Sequence, residues 1–135
     1  MTGPLNLRRH PKADAVAKPW ADARLDEGIR LFNHGEHWHA HEAWEPLWMG
    51  LEGDDKLFVQ GLIMAAAMLV QYGKGVERGV RNHWANVQAR LPPHAPTKWG
   101  IDVARLLTDL EPYGALQPGL AAGAVRIRRH AVAVG

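Results

Sequence analysis

The sequence predicts an all-α fold, a compact antiparallel bundle of about five helices with flexible N- and C-terminal arms. Three observations carry that expectation. Apolar residues recur at the 3–4 spacing of a helix face, as in Leu25, Ile29 and Phe32. Strand-like alternation is confined to the short stretch Val125–Ile127. The turn signals at 33–35 and 50–54 are short, and short turns force successive helices to run antiparallel.

Residues 1–20 carry Pro4, Pro11 and Pro19 without a clear period and are expected to be an arm. Residues 21–112 form the helical domain. Asp22 caps a first helix running to about Asn33, and Asn33-His34-Gly35 stops it, with Gly35 suited to a left-handed conformation. A second helix starts near Glu36 and contains Pro46, where a kink or an end is expected. Asp54 is a candidate cap for a third helix over about 55–73. This helix is apolar nearly all round and so belongs at the centre. Its small residues Gly61, Ala65, Ala66 and Ala67 admit a close neighbour. Met64 and Met68, four apart, read as core. A fourth helix spans about 76–90 and stops before Pro92-Pro93, and a fifth spans about 101–110. Trp84 and Trp99 are expected to cover the bundle ends, and His94 to be solvated in a Pro-rich loop. Residues 113–135, rich in Gly and Ala, read as a tail that packs at most one further turn.

A length of 135 residues suits one domain. The chain has no cysteine, which excludes disulfides, thiolate nucleophiles and thiolate zinc sites, and fits a cytoplasmic setting. The N-terminal segment lacks the apolar region of a signal peptide. The longest apolar run, Gly61 to Val70, is about half the length a membrane span needs, so no membrane association is expected. Net charge is only +2, with Arg8, Arg9, Arg126, Arg128 and Arg129 near the ends. No motif helix clusters Lys or Arg, so a nucleic-acid partner is not expected. Phosphate-binding loops and Ser-His-Asp arrangements are absent from the sequence.

The chemistry is concentrated between Phe32 and Trp48, where four of the eight histidines and three of the six tryptophans fall. On a helix His37, His41, Glu45 and Trp48 share one stripe, with Trp38 and Glu42 about a hundred degrees round. The run GIRLFNHGEHWHAHEAWEPLW, followed by KLFVQGLIMAAA, resembles the domain of unknown function 309 family. The family's F-N-x-G turn, A-H-E-x-x-E-x-x-W segment and F-x-Q-G-L-I helix fall on Phe32, Asn33, Gly35, Ala40, His41, Glu42, Glu45, Trp48, Phe58, Gln60, Gly61, Leu62 and Ile63. The resemblance extends over roughly residues 24–110 and implies a compact helical fold, a cytosolic setting and no established reaction. Trp38, Pro46 and Met64 depart from the family's usual residues.

Two readings follow from these residues. In the preferred one, His41, Glu42 and Glu45 form a buried polar network near Trp48 and Gln60, with Arg24 or Arg30 as further partners. It lies beside a surface for a protein partner or a second copy of the chain, in a groove lined by Trp38, Trp44 and Trp48. The alternative is a site for a divalent metal ion, the only cofactor the sequence suggests. His41 and Glu45 would share the ion, His37 and His83 would be further candidate ligands, and Glu42 would be the candidate catalytic base of a metal-dependent hydrolase. One straight helix spreads these groups over three turns, so a second helix must contribute.

Overall fold

A computed structural model describes residues 14–130. The expected arm is therefore described only from Asp14 onward, and the last five residues of the expected tail lie outside the described chain. Five α-helices dominate: α1 (Ala23–Asn33), α2 (His37–Met49), α3 (Gly53–Lys74), α4 (Glu77–Arg90) and α5 (Val103–Gly114). The fold is the all-α bundle that the periodicity predicts.

Local chemistry sets the boundaries. Asp22 caps α1, its carboxylate accepting the Arg24 backbone N–H at 2.8 Å and the Arg24 guanidinium at 2.9 Å. That guanidinium holds the Asp22 carboxyl below its ordinary pKa. Gly35 takes φ +77° and turns the chain into α2. Pro46 does not end α2, which runs on to Met49. α3 begins at Gly53, ahead of the expected Asp54 cap, and closes at Gly75 with φ +74°. The fifth helix departs most from expectation. Ile101–Asp102 pairs with Thr97–Lys98 in a two-strand antiparallel hairpin, and α5 starts after it, capped by Asp102, whose carboxylate accepts the Arg105 N–H at 2.9 Å.

α1 packs on α2, α2 on α3 and α3 on α4. α3 is the centre, with Phe58, Val59, Leu62, Ala65, Ala66, Met68 and Leu69 fully buried. Its length and apolar composition would also satisfy a membrane span, but its buried residues are occupied by the bundle. Gly61 permits the close approach of α4: a Cβ there would lie 2.5 Å from Leu91. Trp84 covers Gly114 of α5, and Trp99 stacks edge-on against Phe58 at 5.1 Å. His94 is not solvated as expected, since its ring packs on Phe58 at 5.0 Å and burial lowers its pKa.

The expected flexible C-terminal arm is instead, as far as His130, a strap across the bundle. Val125 and Ile127 are buried while Arg126 and Arg128 face outward. The Asn33 side chain clasps the Ile127 backbone, donating at 3.0 Å and accepting at 2.6 Å. Arg128 pairs with Asp109 at 3.3 Å, and Arg129 binds Asp26 and the Trp20 carbonyl. The tail arginines are therefore tied down, and the alternation in Val125–Ile127 marks an extended strap.

Candidate functional site

α2 and α4 both lie along α3 and scarcely touch each other, leaving a seam between them. Its floor is the α3 stripe Gln60, Met64, Ala67 and Gln71, all half-buried at helical spacing. One wall is α2. Ala40, Trp44 and Leu47 face the core, which puts His41 and Trp48 at the edge of the core face and Glu42 roughly 180° from it. The other wall is the α4 stripe Gly79, His83, Asn86 and Arg90, again all half-buried. Two contacts fix its register: a Cβ at Gly79 would meet Gln71 at 2.7 Å, and one at Gly61 would meet Arg90 at 3.3 Å.

His83 has its pKa lowered first by burial and then by the charge of His41 across the seam. His41, with a fifth of its side chain exposed, puts Nε2 3.6 Å from a Glu45 carboxylate oxygen. Its ring lies 5.0 Å from that of Trp38, the large apolar side chain most exposed among the described residues, at 54%. Lys56 places its ammonium 4.5 Å above the Trp48 ring.

The seam is unusual in its hydrogen bonding. Among the described residues five buried side-chain polar atoms have no partner, and four of them belong to seam residues: His41 Nδ1, Trp48 Nε1, His83 Nδ1 and Arg90 Nε. Buried polar groups are satisfied in the great majority of cases. The fifth, His37 Nε2, is one turn before His41 on the same stripe of α2, its ring edge-on to Phe32 at 5.0 Å. Burial, helped by Arg126, lowers the His37 pKa.

The chain matches the family described as Domain of unknown function (DUF309) over residues 25–83. The match supports a relation to that family over those residues, fewer than half of the chain. The DUF309 segment takes in α1, α2, α3 and half of α4, so it supplies one wall, the floor and the other wall as far as His83. No curated protein and no solved structure matches the chain.

Several expectations change at this site. Glu42 and Glu45 are exposed, so the two acids do not form a buried network with His41. Arg24 and Arg30 are not their partners; they pair with Asp22 and Glu27. Trp44 lines no groove. It is fully buried in the DUF309 core, over Gly28, with its indole N–H donated to the Leu25 carbonyl at 3.2 Å. Of the candidate metal ligands, His37 is turned to Phe32, and among the described residues no three His, Asp or Glu side chains lie together as a metal-binding group. Gln60 lies in the floor as expected of a pocket residue, half-buried. Lys56, Asn86 and Arg90 were missed. The signal was present in the helical spacing of Gly79, His83, Asn86 and Arg90, which marks a second polar stripe fit to face the first.

Proposed function

We propose that this protein is a small helical binding module whose working surface is the seam between α2 and α4, rimmed by Trp38. It takes an extended segment of a partner protein. The observation that carries this reading is the gathering of four unpartnered buried polar atoms on one seam. On this reading a ligand supplies the partner that each of them lacks within the chain. The seam floor from Gln60 to Gln71 spans about 16 Å by helical rise, room for about five extended residues. Trp38 adds an exposed aromatic anchor of the kind that dominates interfaces.

Selection of a displayed random-peptide library on the full chain tests this. Peptides so selected should lose affinity by about tenfold or more on Trp38→Ala and on His83→Ala. They should keep it on Thr108→Lys, a change on the exposed face of α5. Peptides insensitive to both seam variants would contradict the reading. So would a dimer in sedimentation velocity that buries the seam against a second copy. A near-stoichiometric metal ion in untagged protein, lost in Glu45→Gln, would overturn it in favour of a metal site built on His41 and Glu45.

A further inference from the structure

Two of the unpartnered groups on the seam can only donate. The Trp48 indole N–H and the Arg90 Nε–H have no capacity to accept, and neither reaches an acceptor. Both stand at the same end of the seam. Arg90 lies against Gly61, next to Gln60, while Trp48 lies beneath Lys56, one turn before Gln60 on α3. Trp48, Lys56, Gln60 and Arg90 therefore belong to the same end of the seam.

That end is positively charged. Among the described residues neither Lys56 nor Arg90 lies within ion-pair distance of a carboxylate. Arg90 is oriented by a neutral group, its Nη1 donating to Asn86 Oδ1 at 3.0 Å. The edge made by Nε and Nη2, which can meet two oxygens side-on, has no acceptor within the chain. Nearby acids do not fill it. Glu45 turns to His41, Asp55 is paired with Lys98 at 2.9 Å, and Glu42, Glu52 and Asp54 are exposed.

We propose that this end of the seam is an oxyanion site, where the Arg90 Nε edge, the Trp48 indole N–H and the Lys56 ammonium receive a carboxylate or phosphate group of the bound ligand. The proposal rests on the binding-module reading and specifies what the seam recognises. A planar guanidinium edge and an indole N–H each satisfy an oxygen lone pair, and the two cations supply the charge. Met64 and Ala67 continue the floor beyond this end and would take an uncharged part of the ligand.

The test is a titration of the isotopically labelled full chain, watched at its six indole N–H and its arginine Nε–H signals. The probes are sodium acetate and inorganic phosphate, each raised to about 0.1 M against sodium chloride at matched ionic strength. The Trp48 signal is assigned by its loss in Trp48→Phe. We expect saturable movement of the Trp48 indole and Arg90 Nε–H signals, with the other five indoles unmoved and chloride without effect. Stronger binding of acetate would identify a carboxylate, and stronger binding of phosphate a phosphate group. Arg90→Gln should weaken either by about tenfold or more, and Arg90→Lys should restore only part. No saturable movement with either anion, the same movement with chloride, or an unchanged titration in Arg90→Gln would overturn the site. The wild-type titration stands without any variant. If selected peptides depend on Trp38 and His83 while both anions leave Trp48 unmoved, the oxyanion site falls and the binding module stands. If anions bind at Trp48 while no selected peptide depends on the seam, the reverse holds.

Discussion

Trp44 and Trp48 sit one turn apart on the same helix and carry the same side chain, yet they do different things. Trp44 is fully buried over Gly28, and its indole N–H has an acceptor in the Leu25 carbonyl. Trp48 is half-buried at the seam, with its N–H hidden from solvent and without an acceptor. The first completes a dry interface between α1 and α2. The second belongs to a surface whose hydrogen bonds are left unmade within the chain. The Trp44 donor is satisfied within the chain, and on the binding-module proposal the Trp48 donor is left to the ligand.

That contrast can be broken or sharpened by substitution. The largest effect should come from Trp44→Ala, which leaves a cavity between α1 and α2 and should cost about 3–5 kcal/mol in denaturant unfolding. Gly28→Ala comes next. Its new Cβ would overlap the Trp44 indole, so about 1–3 kcal/mol should be lost, with the near-ultraviolet circular dichroism of the tryptophans altered. Asn33→Ala releases both bonds to Ile127 and should cost about 1–3 kcal/mol, with faster amide exchange over 125–130.

Acid should act on both regions through their histidines. Burial holds His37 and His83 below the ordinary imidazole pKa in the folded state. The unfolded chain therefore takes up protons first as pH falls. Stability should be flat above about pH 7, drop as pH passes through the ordinary value near 6.5, and level off below the folded values. His37→Phe should remove one share of that drop, measured as the difference between urea unfolding at pH 7.5 and at pH 5.

Much of this architecture is legible in the sequence. The periodicity of Leu25, Ile29 and Phe32, the Asp22 cap and the Gly35 turn act locally, and each appears where it is expected. The strap was not legible, because its order depends on Asn33 binding a backbone 94 residues away. The site was half legible. His41 and Trp48 could be placed on one stripe, but Glu42 and Glu45 could not be assigned to solvent until Ala40, Trp44 and Leu47 were known to point inward. Lys56 and Arg90 come from other helices, and only the register of α4 on α3 brings them to the same end of the seam.

The most direct test of the central claim is the unfolding free energy of Trp48→Phe beside that of Trp44→Phe. Both changes remove an indole N–H. If the seam is a binding surface, Trp48→Phe should change stability by no more than about 0.5 kcal/mol, because the lost donor had no partner. Trp44→Phe, which loses a made hydrogen bond and fully packed ring atoms, should cost about 2 kcal/mol. Equal losses would show that Trp48 serves the fold as Trp44 does, and would contradict the account.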